Sequence, residues 1–291
     1  MTYQISGKTK IACLIGWPVS HSFSPAMHNA AFQDANLDYV YICFPVKPER
    51  IPEAISGFRA LDICGANVTI PHKEAVVPFL DEVSDEARKI GAVNTILNHE
   101  GSLAGFNTDV YGYSKSLELH DFDMIGVHAV IIGAGGVARA IAIGHAMTNA
   151  ASITITDTAA GKAGALVSNL RELYPSLEVR DASRDPGLLI KSLVRADIVI
   201  NATPLGMKET DPLFLDSNQM ECISPSAAIF DAIYNVKETK LEKTCRARHI
   251  KYVGGLDMLL YQGVRAFEIW TEQTPNIPLM KKVLQEKLGT C

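Results

Sequence analysis

The chain has 291 residues, 47% hydrophobic and 20% charged, with a formal net charge of −5. That length leaves room for two cores at the usual domain size of roughly 100–150 residues, and the apolar fraction excludes a disordered chain. An acidic balance with no basic run argues against a nucleic-acid surface. Cys13, Cys43, Cys64, Cys222, Cys245 and Cys291 are scattered, with no Cys-x-x-Cys pair and no His/Cys cluster. They read as reduced, core-filling thiols of a soluble cytoplasmic protein with no metal centre. The Met1-Thr2-Tyr3-Gln4 start lacks the basic and apolar blocks of a signal peptide, and no apolar run nears the roughly 20 residues of a membrane span.

In chain order, residues 11–15, 39–44 and 63–70 read as strands, separated by helical stretches near 25–35 and 48–58. This alternation predicts βαβ units and an α/β fold with a mostly parallel sheet. Pro71 must end the third run, because proline cannot donate to a ladder, and Lys73 is thereby placed just beyond the strand at the mouth of a site. Gly91-Ala92-Val93-Asn94-Thr95 then sets polar residues in an apolar frame. Gly105-Phe106-Asn107-Thr108-Asp109 puts a carboxylate at a second strand-to-helix junction. Amine, amide and carboxylate on loops can form a proton-transfer site for a small polyol; the plain alternative for Lys73 is a solvated surface charge. A domain boundary falls near 109–123, where Tyr111-Gly112-Tyr113 begins a helix.

Beyond it, residues 129–132, 152–156, 198–200 and 228–230 are apolar without strict alternation, as strands buried on both faces are. The stretches 258–270 and 278–287 carry helical spacing, and either close the second sheet or return to the first domain. Residues 129–132 enter Gly133-Ala134-Gly135-Gly136-Val137-Ala138 and then a helical run, the strand, glycine turn and helix of a dinucleotide site. Gly133 permits the tight turn, Gly135 lets backbone approach a pyrophosphate, and Ala138 allows close packing. Amides at the helix start face the phosphates. Asp157, at the end of the next strand, can accept both ribose hydroxyls of NAD and repel a 2′-phosphate. It could instead cap a helix opening at Thr158. Lys162 could still contact a phosphate, which leaves dual cofactor use open.

Together these motifs resemble the shikimate dehydrogenase family (shikimate/quinate dehydrogenases) over nearly the whole chain. The resemblance is carried by Gly16-Trp17-Pro18-Val19-Ser20-His21-Ser22-Phe23-Ser24-Pro25 with His28-Asn29, by Asn67-Val68-Thr69-Ile70-Pro71-His72-Lys73, and by the Asn94 and Asp109 segments. It continues in Asn201-Ala202-Thr203-Pro204-Leu205-Gly206-Met207 and Gly255-Leu256-Asp257-Met258-Leu259-Leu260-Tyr261-Gln262-Gly263. It implies a substrate domain over 1–109, completed by C-terminal helices 257–291, and a Rossmann-type NAD(P) domain over 110–256. The implied activity is reversible NAD(P)-dependent reduction of 3-dehydroshikimate to shikimate, in aromatic amino acid (chorismate) biosynthesis. Lys73 and Asp109 would be the catalytic pair. Ser22 and Ser24 would hold the substrate carboxylate, one of them also capping the helix at Pro25. Thr69, Asn94, Asp109, Tyr234 and Gln262 would contact the ring; Asn94 and Gln262 could instead be satisfied buried amides. Gly133, Ala134, Gly135, Gly136, Val137, Asp157, Lys162, Asn201, Thr203, Ile233 and Gly255 would hold the cofactor. His21, His28 and His72 are assigned to packing, since the family's proton chemistry falls on lysine.

Three departures stand out. NADP-using members commonly carry Asn-Arg-Thr where this chain has Asp157-Thr158-Ala159, so NAD(H) is favoured, with NADP(H) the family default. Val236 stands where proline is frequent, and Asp257 where glycine is common. Two rival readings remain: NAD-linked quinate oxidation, and a non-catalytic NAD-linked sensor, which would need Lys73 or Asp109 lost. The partners expected are a small-molecule substrate and, as an open option, a second copy of the chain; nucleic acid and membrane are not expected.

Overall fold

The computed structural model describes residues 5–289; the Met1–Gln4 start and Cys291 lie outside the described residues. The chain divides into two compact units, one running to Gly112 and resuming at Leu260, the other Tyr113–Leu259.

The first unit contains β1 (Lys10–Gly16), α1 (Ser24–Asp34), β2 (Tyr39–Pro45), α2 (Ile51–Ala60), β3 (Gly65–Val68), β4 (Glu82–Val83), α3 (Asp85–Ile90), β5 (Thr95–His99) and β6 (Ser102–Phe106), and it includes the start of α4 (Asp109–Glu118). Its six-stranded sheet has the order β2-β1-β3-β5-β6-β4. The β1–β2, β1–β3 and β4–β6 pairs are parallel, while β5 is antiparallel to both neighbours. The β5–β6 hairpin turns through Glu100 and Gly101, both with positive φ (52° and 88°), the conformation that suits the right-handed twist of a two-residue hairpin. The run read as one strand over 63–70 is shorter, because only Gly65–Val68 pair. Ile70 is already solvent-exposed, ahead of Pro71. The helix expected near 48–58 opens as a single 3₁₀ turn, Pro48–Arg50, before α2.

The second unit holds β7 (His128–Ile132), α5 (Gly136–Met147), β8 (Ser152–Thr156), α6 (Lys162–Leu173), β9 (Glu178–Asp181), α7 (Pro186–Arg195), β10 (Ile198–Asn201), α8 (Ser217–Glu221), β11 (Ala228–Asp231), α9 (Lys240–Ala247) and β12 (Lys251–Gly254), with the start of α10 (Leu256–Thr271). Its six strands run in the order β12-β11-β10-β7-β8-β9, every neighbouring pair parallel. That order is the doubly wound dinucleotide-binding arrangement, with a reversal beside β7. Ile131, Ile153, Val199 and Ile229 are fully buried, as strands covered on both faces require.

The end of α10 and all of α11 (Ile277–Leu288) belong to the first unit. A Cβ at Gly65 would lie 2.3 Å from the Trp270 indole, and Trp270 Nε1 donates to Ile96 O at 3.0 Å. Glycine in β3 therefore makes room for the ring that docks this helix on the sheet. Among the described residues no helix is long and apolar enough to cross a membrane, and Cys13, Cys43, Cys64, Cys222 and Cys245 are free thiols.

Among the described residues, two of the three buried histidines have no solvent exposure at all. His28 stacks on Tyr41 at 4.5 Å, and His145 Nε2 lies 2.8 Å from Tyr113 Oη. Burial lowers both from 6.5 to about 3, so the folded protein keeps them neutral while the unfolded chain protonates them. Stability is therefore lost as pH falls from about 6.5 toward 3, by about 2 kcal/mol per histidine at pH 5. Urea unfolding at pH 7 and pH 5 should show a smaller acid-induced loss for His145→Gln than for the parent. An equal loss would mean that His145 carries no such penalty.

Candidate active site

In the first unit, the loops after β3 and β6 are stitched together by backbone before any side chain acts. Val93 N donates to Lys73 O at 2.8 Å, Asn94 N to Phe106 O at 3.0 Å and Val68 N to Asn94 O at 2.8 Å. Asn107 adds a bracket: its Nδ2 donates to Ala92 O, and its Oδ1 accepts Asp109 N at 3.0 Å. Asp109 opens α4, where the positive end of the helix dipole favours a carboxylate.

Inside this frame Lys73 Nζ donates to Asp109 Oδ2 at 2.5 Å, with the two residues only 9% and 4% exposed. Asn94 Nδ2 donates to the other oxygen, Oδ1, at 2.8 Å. Asn94 Oδ1 in turn accepts from Thr108 N, Thr108 Oγ1 and Thr95 Oγ1. Lys73 is thus no solvated surface charge. Asn94 is a satisfied buried amide, and one of its donors is spent on Asp109.

Thr69 lies against the end of β1, where a Cβ at Gly16 would come 2.3 Å from Thr69 Cγ2. Gly16 leads into the loop of Ser22 and Ser24. Contrary to the capping expected of one serine, α1 begins at Ser24 with Phe23 at the cap position and no side-chain cap; Ser22 Oγ accepts Ser24 N at 3.2 Å. The Ser22 hydroxyl thus closes a turn just outside the helix. Gln262 is on α10, next to Gly263, where a Cβ would lie 2.3 Å from Met27 Cε on α1. His72 is buried with Nε2 2.7 Å from Val46 O, whereas His21 is exposed.

In the second unit, strand register places the other group of residues in one row. Ile132 pairs with Thr156 and Asn201, Asn201 with Asp231, and Asp231 with Gly254. The next residues, Gly133, Asp157, Ala202, Ala232 and Gly255, therefore cross the carboxyl ends of five strands, where doubly wound folds bind their ligands. Gly133 has φ 108°, and a Cβ there would lie 2.8 Å from Ala202 O; one at Gly255 would lie 2.6 Å from Ala232 O. A Cβ at Gly135, by contrast, would meet nothing within 4 Å, and α5 starts there with no side-chain cap. Open space before uncapped helix amides fits a pyrophosphate, with Ala134, Gly136 and Val137 on the same turn.

Asp157 is not a helix cap. Helix α6 begins at Lys162 behind Gly161, whose φ of 80° is the left-handed turn that delays it. Instead, Asp157 Oδ2 accepts Ala134 N and Oδ1 accepts Ala159 N, each at 2.7 Å. The carboxylate is clamped at both oxygens, and each oxygen retains a lone pair for a hydroxyl donor. Lys162, at the start of α6, and Thr158 are exposed.

Asn201 spends its amide internally, donating to Leu205 O and Asp231 Oδ1 and accepting from Thr203 N and Oγ1. Its partner Asp231 is buried and takes four donors, from Asn201, Ile233 N, Thr239 and Tyr252. Burial pushes this carboxyl above its usual range, and the hydrogen bonds pull it back in part. Asp231 fixes the loop of Ile233 and Tyr234, and sequence reasoning assigned it no role, although its place at the end of a buried strand was the available signal. Asp257 Oδ2 faces His120 Nε2 at 3.4 Å. Among the described residues no His, Cys, Asp and Glu side chains cluster in a way that could hold a metal ion.

If the glycine turn is a phosphate cradle, Gly133→Ala should weaken binding of either dinucleotide at least about tenfold, because Cβ strain and the Ala202 clash move the turn. Fluorescence titration with reduced cofactor reads this directly. Unchanged affinity would show that the turn does not touch the nucleotide.

Comparison with known proteins gives the same arrangement a lineage. Residues 14–96 match the shikimate dehydrogenase substrate binding domain, and residues 255–285 match the shikimate 5'-dehydrogenase C-terminal domain. A shikimate dehydrogenase (NADP(+)) of Desulforamulus reducens is 44% identical, covering 98% of each chain. A crystal structure of a shikimate dehydrogenase in complex with NADP+ superposes with TM-score 0.88 at 40% identity, covering 98% of both chains. That of the Listeria monocytogenes shikimate 5-dehydrogenase in complex with shikimate and NAD superposes at 0.87 and 34% identity, covering 98% of this chain and 99% of that one. With likeness of sequence and fold running from end to end, the chain belongs to the shikimate dehydrogenase family.

Proposed function

We propose that this protein interconverts 3-dehydroshikimate and shikimate with a nicotinamide dinucleotide, NAD(H) in preference to NADP(H). The observation that carries the reading is the buried Lys73–Asp109 pair, held together with Asn94 within a frame of hydrogen-bonded loops. Relatives named shikimate dehydrogenase (NADP(+)) support the reaction, and the NAD preference rests on Asp157 alone. The unit that holds Lys73 is the substrate domain, and the unit of the glycine turn is the nucleotide domain.

The chain's own residues supply binding, orientation and a proton. Ser22 and Ser24 take the substrate carboxylate as hydroxyl donors, and Thr69, Asn94, Tyr234 and Gln262 take ring hydroxyls. When bound, the nicotinamide ring supplies or accepts the hydride at the substrate's carbonyl carbon. Lys73 Nζ gives a proton to the alkoxide oxygen that forms on reduction, and takes it back on oxidation. Asp109 Oδ2 holds that ammonium in place. Gly133 to Val137 and the start of α5 hold the pyrophosphate, while Asn201, Thr203, Ile233 and Gly255 line the strand ends beside it.

Lys73→Ala should lower kcat at least about 100-fold with a smaller change in KM, since proton transfer acts in the transition state. Lys73→Arg should not restore it, because guanidinium stays protonated and has another shape. Circular dichroism must confirm folding, since removing one partner of a buried pair costs about 3–5 kcal/mol. Near-normal turnover by folded Lys73→Ala would overturn the catalytic assignment.

The cofactor preference rests on Asp157. Clamped by Ala134 N and Ala159 N, its carboxylate cannot swing away from an approaching 2′-phosphate, and Thr158 offers no compensating cation. Assayed with shikimate and with quinate, kcat/KM should be higher with NAD than with NADP. Asp157→Asn combined with Thr158→Arg should reverse the order by removing the repulsion and adding a forked phosphate donor. A tenfold NADP preference in the unaltered protein, about 1.4 kcal/mol, would contradict this role for Asp157.

A further inference from the structure

We infer that Tyr41, Asn67 and Thr95 are positioning residues, a one-way chain of hydrogen bonds that holds Asp109 and hence the Lys73 ammonium in register for proton transfer. The inference rests on the catalytic reading of Lys73. The chain begins on β2 with Tyr41, 1% exposed, its ring stacked on His28 at 4.5 Å. Tyr41 Oη lies 2.8 Å from Asn67 Oδ1. Asn67 Nδ2 is 3.3 Å from Asn94 O and 3.2 Å from Thr95 Oγ1. Thr95 Oγ1 is 2.9 Å from Asn94 Oδ1, and Asn94 Nδ2 is 2.8 Å from Asp109 Oδ1.

Two backbone groups fix the polarity of both amides in this chain. Asn94 O is a carbonyl and can only accept, so the Asn67 atom facing it is nitrogen and the atom facing Tyr41 is oxygen. Tyr41 must then donate. Thr108 N–H can only donate, and it lies 2.8 Å from Asn94 Oδ1, so that end of the Asn94 amide is oxygen. Its nitrogen is thereby turned onto Asp109. Between the two amides Thr95 accepts from Asn67 and faces Asn94 Oδ1 at 2.9 Å and Thr108 Oγ1 at 3.3 Å, the nearer of which takes its single hydroxyl proton.

The consequence is geometric. A carboxylate held at one oxygen by a flexible lysine can rotate, and the ammonium rotates with it. Gripped at Oδ1 by an amide of fixed polarity, Asp109 keeps its plane, and Lys73 Nζ is left one position to occupy. Proton transfer depends steeply on such placement, whereas binding of the substrate's remote groups does not. Loss of the chain therefore registers more in kcat than in KM, where only the Asn94 contact to the ring is touched.

The test compares isosteric variants with shikimate as substrate, at a temperature well below each measured melting point. Thr95→Val, which deletes the hydroxyl and keeps the shape, should lower kcat about tenfold with KM within twofold. Thr95→Ser should restore kcat to within about twofold, since the hydroxyl returns. Tyr41→Phe removes one oxygen at the far end and should lower kcat about threefold; it carries the test alone if Thr95→Val does not fold. Unchanged kcat in these variants, a loss confined to KM, or failure of serine to restore turnover would overturn the inference. Lys73→Ala, run alongside, separates the two levels: if it stays active the catalytic reading fails, and if it is dead while Thr95→Val is normal only the positioning chain fails.

Discussion

A lysine and an aspartate, both almost stripped of water, sit 2.5 Å apart in the first unit, and much of the surrounding architecture exists to make that contact tolerable. Taking two charges out of water costs several kcal/mol per ion, and their attraction offsets this only with good geometry and with the remaining lone pairs satisfied. Here Asn94 and the dipole of α4 attend to the carboxylate, and the Lys73 backbone is tied to the Asn94 loop through Val93. The sheet beneath is ordered to suit. Antiparallel β5 beside β3 brings Asn94 and Thr95 next to Asn67, and the β5–β6 hairpin returns the chain to Asp109 within a short distance. A purely parallel sheet would need a long crossover between those strands.

The second unit meets a similar difficulty by different means. Asp231 is as buried as Asp109, but among the described residues its hydrogen-bond partners are all neutral donors, with no ammonium or guanidinium among them. A carboxylate surrounded by oriented dipoles makes a rigid pin, and the loops after β10 and β11 are both fastened to it. Asp157 works in the same manner on the glycine turn, through Ala134 N. Backbone close approach does the rest, since Gly133 and Gly255 leave no room for a Cβ against the neighbouring carbonyls.

Much of this was legible in the sequence. Buried parallel strands announce themselves as apolar runs, which is why residues 152–156 and their neighbours were readable, and the glycine turn could be placed by the strand before it and the helix after it. Lys73, Asn94 and Asp109 stood out as polar residues in apolar frames. Other features were hidden for physical reasons. Strand β5 carries Thr95 and Asn98, whose side chains are spent on buried and half-buried hydrogen bonds, so it lacks an apolar signature. Strand β9 shows solvent Glu178 and Asp181. The delay of α6 to Lys162 depends on a left-handed Gly161, and helix propensity carries no trace of it. Tyr41 gave no functional signal at all, because a tyrosine in a strand reads as core until the direction of its hydroxyl is seen.

That last case explains why polar residues beneath this site are arranged in chains. An isolated buried amide can turn over and exchange its donor and acceptor ends at little cost in packing. When each amide faces a backbone group that can only donate or only accept, turning one would set donor against donor and acceptor against acceptor along its neighbours. Each such mismatch leaves buried groups unpaired at about 1–3 kcal/mol. The direction of the bond that reaches Asp109 is thus decided by Thr108 N and Asn94 O, and the latter cannot be reoriented without losing Val68 N at the end of β3. Orientation at the Asp109 carboxylate becomes a property of the sheet and its loops. A side-chain rotamer alone would not secure it, and an ion pair needing sub-ångström placement is more dependably held that way.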